Sequence, residues 1–171
     1  KPAVVVEKAP FNETIVHLAF TAPKATHKDI AALEVFALIF GQGDSSRLNQ
    51  RLRLSEHLVN YAGSSVFVAR DPGFFAISLS LNSRDLQRAL AGVSEELEAL
   101  LSAPPSEQEF TKAVTNMASE QFYSLETVDG LARSFGHYQD LFNDPQYFEK
   151  FMKQVQSLTP LDVLKAARKY L

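Results

Sequence analysis

Within Gly41-Gln42-Gly43-Asp44-Ser45-Ser46-Arg47-Leu48, continued by Asn49-Gln50-Arg51-Leu52-Arg53, a glycine-broken turn leads into hydroxyl, carboxylate and guanidinium groups. Such a turn opening a helix could present amide donors to an anion, or place a serine as a nucleophile. The spacing supports neither. There is no G-x-x-x-x-G-K-[ST], no strand precedes the turn, and no nearby histidine is identifiable as a serine activator. Apolar Ile30, Leu33, Phe36, Ala37 and Phe40 recur before the turn at helical spacing, so Gly41 and Gly43 supply the backbone freedom that ends a buried helix. Asp44 or Ser45 is then expected to cap the next helix, and Arg47 to pair or to bond nearby backbone.

The remaining chemistry-bearing residues are dispersed. There is no cysteine, which excludes disulfides and thiolate ligands and fits either cytoplasm or periplasm. His17, His27, His57 and His137 include no pair that would set two imidazoles on one helical turn. His137 lies among Phe135, Tyr138 and Phe142 and reads as a packed or interfacial residue. Glu95, Glu96 and Glu98 read as a solvated helix face, and Tyr147, Phe148 and Phe151 as core packing at i, i+3 and i+4 spacing. A net charge of −3 with dispersed basic residues argues against nucleic acid, and no apolar run is long enough to cross a bilayer. At 171 residues, 46% of them hydrophobic and 22% charged, the chain is expected to form one domain, residues 1–171. It starts at Lys1 without an initiator methionine, which suggests excision from something longer.

Several elements must position these residues. Thr14 to Phe20 alternates and is closed by Ala22-Pro23, a first strand. Thr26 with Asp29 resembles a capping box for a helix from His27 to Phe40. Leu58 to Ala69 reads as a long, bent or bulged strand, and Arg70-Asp71-Pro72-Gly73 as a turn. From Phe75 to Leu81 the alternation is clear, with Phe75, Ile77, Leu79 and Leu81 on one side. Helices follow at about 84–101, 106–125, 128–142, 145–155 and 160–170, with caps at Ser106 and Glu109, at Asp144 before Pro145, and at Thr159 before Pro160 with Asp162. Early strands and late helices predict an α+β architecture, a mainly antiparallel sheet with helices on one face.

The junction resembles the pattern G-x-G-x-S-S-R-L-x-x-x-L-R found in the second homologous domain of the pitrilysin or insulinase-type zinc metallopeptidases. Further likeness lies in Ala22-Pro23, in Arg70-Asp71-Pro72-Gly73-Phe74-Phe75 leading into a strand, and in the closing Thr159-Pro160-Leu161-Asp162-Val163 and Ala166-Ala167-Arg168-Lys169-Tyr170-Leu171. The resemblance implies a fold of the LuxS/MPP-like metallopeptidase type. In that family two histidines of an H-x-x-E-H helix and a later glutamate hold zinc, and the motif glutamate is the general base. This chain has no such motif. Arg53-Leu54-Ser55-Glu56-His57 approaches it, but a guanidinium stays protonated and offers a metal no lone pair.

The resemblance therefore implies zinc on a homologous partner domain, on the same or a separate chain, with this domain gripping the peptide substrate. In the family an arginine ending the junction helix and a tyrosine seven residues later reach toward substrate. Arg53 matches the arginine, whereas the seventh residue on is Asn60, with Tyr61 one further. Residues 60 and 61 point to opposite faces of a strand, so only one can serve. The expected pair is Arg53, donating to a peptide carbonyl or carboxylate, and Asn60, replacing the phenol as a neutral hydrogen-bonding group, with Tyr61 left to the core. The alternative for Arg53 is a pair with Glu56 or a place over the helix end. The rival reading of the whole chain is a catalytically inactive family member acting as a structural or assembly partner.

Overall fold

The computed structural model describes residues 3–171. Strand β1 (Thr14–Thr21) leads into helix α1 (Ile30–Gly41), and a π-helix at Asn49–Ser55 precedes β2 (Tyr61–Phe67) and β3 (Phe74–Leu81). Helices α2 (Leu86–Ser102), α3 (Glu107–Ser124), α4 (Val128–Phe142), α5 (Tyr147–Ser157) and α6 (Pro160–Tyr170) complete the chain. The expected α+β architecture is the observed one.

The sheet is antiparallel in the order β1-β3-β2, so the last strand lies between the first two. Its register follows from the alternation in β3. Phe75, Ile77, Leu79 and Leu81 are buried beneath the helices, and their pairing partners on β1 and β2 share that face. α1 is apolar nearly all round and buries Leu33, Phe36 and Phe40, with Phe36 against Phe75 at 5.7 Å between ring centroids. Leu48 and Leu52 carry the same core beneath the π-helix.

Four local expectations change. Thr26 caps nothing and α1 begins at Ile30, because the Asp29 carboxylate is drawn to α6, where it accepts from Lys169 Nζ at 2.9 Å and Tyr170 Oη at 3.0 Å. The second strand runs only from Tyr61 to Phe67, with Leu58 and Val59 buried ahead of it. The helix after Pro145 runs from Tyr147 to Ser157. Glu95 and Glu96 are not a merely solvated face, since Arg51 binds both, together with Glu56. The capping boxes at Ser106 with Glu109 and at Thr159 with Asp162 form as expected.

Arg47 clamps the junction to α3 through a two-pronged bond to Glu109, at 2.7 and 3.0 Å. That guanidinium, aided by the amide and hydroxyl of Ser106 and against the opposing effect of burial, holds the Glu109 carboxyl down at about 2, below an ordinary value of 4.5. A depressed folded pKa gives stability that is present above the unfolded value and lost as pH falls through the folded one. Wild-type stability should thus decline between pH 4.5 and about 2 by roughly 1–2 kcal/mol on this account, after allowance for solvent screening. Urea unfolding of Glu109→Gln across that range should lack this component, and an identical acid dependence in both proteins would refute it.

Candidate functional site

At one end of the sheet the glycine turn, the π-helix and β2 enclose a cavity of about 280 Å³ lined by Gly43, Asp44, Asn49, Arg53, Tyr61 and Gly63, among others. Gly43 sits at φ 75°, a left-handed conformation that swings the chain back across the end of α1. Neither Asp44 nor Ser45 caps the helix that follows. Ser46 lies there instead, its Oγ donating to the Gly43 carbonyl at 2.7 Å while its own carbonyl accepts from the Gln50 amide. Asp44 is thereby free to meet Arg53, Oδ1 to Nη2, at 3.2 Å.

Asn49 organises this corner. It is 3% exposed, and its Nδ2 lies 3.0 Å from Ser46 Oγ, 3.0 Å from the Ala62 carbonyl and 3.4 Å from the Gly41 carbonyl. One side-chain amide thus ties the end of α1, the π-helix and the outer edge of β2 together. Its Oδ1 faces Arg53 Nη1 at 3.5 Å, so Arg53 is steered from one side by Asn49 and from the other by Asp44. The spacing of four residues between Asn49 and Arg53 places both on one flank of the helix. Glu56 bonds Arg51, not Arg53, at 2.8 Å, and this removes the alternative pairing. The chain leaves the π-helix at His57, φ 51°, whose Nδ1 donates to the Arg53 carbonyl at 3.0 Å.

Asn60 precedes β2 and is exposed like Tyr61, so strand alternation does not separate the two; their partners do. The Asn60 amide donates to Glu13 Oε1 at 2.9 Å, and Asn60 is not among the residues lining the cavity with Arg53. Tyr61 is not core. It is 54% exposed and lines that cavity, so the structure brings Arg53 to Tyr61 and leaves Asn60 outside. Its hydroxyl lies 2.2 Å from where a β-carbon would stand on Gly63, so only glycine at 63 lets the ring lie along the strand.

The cavity opens beside the sheet face that carries no helix. Across the three strands its side chains form the rows Ile15, Ser80, Tyr61; then His17, Ser78, Gly63; then Ala19, Ala76, Ser65; then Thr21, Phe74, Phe67. His17 Nδ1 and Ser78 Oγ are 2.9 Å apart, and Phe67 stacks on Phe74 at 5.0 Å between centroids. Apart from His17, small and hydroxylated residues fill the middle of the face, while Ile15 and Phe67 at opposite corners are more than half exposed. Such a surface can seat an extended chain and offer it hydroxyl and guanidinium donors.

The sequence pattern of the peptidase M16 inactive domain matches residues 1–117. The chain belongs to that family. It is 22% identical over 170 residues to the probable inactive metalloprotease YmfF of Bacillus subtilis, a match covering 99% of this chain and 39% of that protein. It is 31% identical over 136 residues to mitochondrial-processing peptidase subunit alpha-1 of Dictyostelium discoideum, covering 75% and 20%. A solved protease from Helicobacter pylori superposes with a TM-score of 0.87 at 26% identity, over 98% of this chain and 40% of that one. This M16 inactive domain thus spans well under half the length of these relatives.

Its own residues do not fit a zinc ion. Among the described residues no three histidine, cysteine, aspartate or glutamate side chains gather as a ligand set. His17 is on the open face, His27 is beside Tyr170, His57 ends the π-helix and His137 is exposed on α4. No described helix is long and apolar enough to cross a membrane. Asn49 carries no signal in the sequence, because its partners lie on three elements; Tyr61 is legible as a candidate, and its exposure overturns the expected place in the core.

Proposed function

We propose that this M16 inactive domain is the substrate-gripping half of a zinc metalloendopeptidase, residues 1–171 acting as one domain against a homologous zinc-bearing domain that carries H-x-x-E-H. The observation that carries the reading is the Arg53 and Tyr61 cavity at the end of an unroofed sheet face. Hydrolysis would belong to the partner, whose H-x-x-E-H histidines and later glutamate would hold the zinc that, when bound, supplies Lewis acidity for the peptide carbonyl and water. The residues of this chain bind and orient. Arg53, fixed by Asp44 and Asn49, donates to a carbonyl or terminal carboxylate, and Tyr61 supplies a phenol beside it. Asn60 acts at one remove, by holding Glu13 at the rim of the face.

A photo-crosslinking residue placed at Ser78, in the middle of the open face, tests this in the complete two-domain enzyme. A hydrolysis-resistant peptide should be captured there, and excess unlabelled peptide should prevent capture. Efficient capture from a control position on the outer surface of α2, with none at Ser78, would overturn the reading. The assembly-partner alternative draws on the inactive naming of the Bacillus relative. The same complex separates the two: if its partner domain lacks H-x-x-E-H and no peptide is cleaved, the assembly role stands.

A further inference from the structure

Glu34 is the only charged residue of α1, in a helix that reads Ile-Ala-Ala-Leu-Glu-Val-Phe-Ala-Leu-Ile-Phe-Gly. It is half-buried, and among the described residues it has neither an ion pair nor a hydrogen bond. A leucine would serve packing better, since a partly buried carboxylate without a partner costs stability. Its side chain faces two adjoining cavities, of about 470 and 330 Å³, that share Glu34, Val66, Tyr138 and Phe151. Together they make a groove along the free edge of β2, between α1 and the helices α3, α4 and α5. It meets the Arg53 cavity only at Gln42, and neither Arg53 nor Tyr61 lines it.

The groove has one sign of charge and a sorted lining. Val66, Met117, Phe142 and Phe151 supply apolar wall, and the charged or titratable groups facing Glu34 are Glu120 of α3 and His137 and Tyr138 of α4. β2 and α5 contribute none to the lining, and no lysine or arginine lines either cavity. An apolar channel ending on an unpaired carboxylate matches a long side chain with an aliphatic stem and a cationic head. We infer that this groove is a docking site for a segment of another protein, which inserts one arginine or lysine onto Glu34 with a flanking apolar residue against Phe151 and Val66. The inference does not depend on the proposed peptidase role.

The groove also makes the contact pH-dependent. Burial raises the Glu34 carboxyl to about 7, so it is largely neutral at pH 6 and ionised at pH 8. A cationic side chain binds the ionised form, and its affinity should rise about tenfold between those pH values, following the ionised fraction.

The test uses acetyl-Leu-Arg-Leu-amide and its isosteric, uncharged citrulline counterpart, with binding read from the methyl resonances of Val66 and Met117. The arginine peptide should bind saturably, about tenfold more tightly than the citrulline peptide at pH 8, and lose most of that preference at pH 6. Glu34→Gln removes a buried charge without changing shape, so it should fold at least as well as the wild type. In that variant both the preference and the pH dependence should vanish, whereas His137→Gln should keep them. Equal binding of the two peptides, absence of saturable shifts, or an arginine preference that survives Glu34→Gln would each overturn the site.

Discussion

Arg53→Ala should lower kcat/KM of the complete zinc-bearing enzyme that we propose by roughly ten- to a hundredfold while leaving this domain folded. A charge-assisted hydrogen bond to substrate that persists in the transition state is worth about 1.5–3 kcal/mol, which sets that range. The domain itself loses little. Arg53 is 37% exposed and its acidic partner Asp44 is 76% exposed, so the ion pair is a surface one, worth under about 1 kcal/mol. Lysine should rescue poorly, because it keeps the charge but cannot span Asp44, Asn49 and a substrate oxygen with a planar fork. Tyr61→Phe should weaken turnover more than Asn60→Ala, since the phenol shares the cavity and the Asn60 amide is bonded to Glu13. Wild-type kinetics in Arg53→Ala would remove the substrate contact. A large fall in the thermal midpoint would make the arginine structural.

The two glycines of the turn should differ sharply when each is replaced by alanine. Gly41 ends α1 against β2, and a β-carbon there would stand 2.6 Å from the Ser64 amide nitrogen and 2.9 Å from the Gly63 carbonyl carbon. Those are backbone atoms of a paired strand and cannot swing aside. Gly41→Ala must push α1 off the sheet edge, where Ser64 Oγ donates to Ala37 O at 2.8 Å and Gln42 Nε2 donates to Ser64 O at 3.1 Å. Overpacking of this kind costs about 1–3 kcal/mol, and the strained edge contacts place Gly41→Ala at the upper end. Gly43 has open space around it, so Gly43→Ala pays only for φ 75°, about 1 kcal/mol. Urea unfolding of both variants decides the ordering. Equal losses would mean that α1 and β2 do not approach as closely as described.

Local patterning along the chain is enough to set the layering and most of the elements. The period-two alternation of β3 and the near-continuous apolar run of α1 each have one stable burial, and the capping boxes at Ser106 and Thr159 use only residues three apart. The need for left-handed backbone after α1 was equally local, and Gly43 meets it. What failed was whatever a distant group could outbid. Asp29 was offered a capping role and was taken by Lys169 and Tyr170, more than a hundred residues away. Ser46 displaced Asp44 and Ser45 at the junction because Asn49 completes its hydrogen bonding.

Arg53 was legible as a candidate from a resemblance, but its setting was not. Alternation alone predicts opposite faces for Asn60 and Tyr61, without saying which of them meets Arg53. Only the pairing register of β2 with β3 decided that. It puts Tyr61 in the row with Ser80 on the open face, beside the cavity, and the bare Gly63 gives its ring room. Glu34 shows the same division: one carboxylate in an apolar helix is visible in the sequence, but whether it is solvated, paired or left in a groove depends on α3, α4 and α5. Local spacing fixes what a residue can offer, and contacts between elements far apart in the chain decide what it meets.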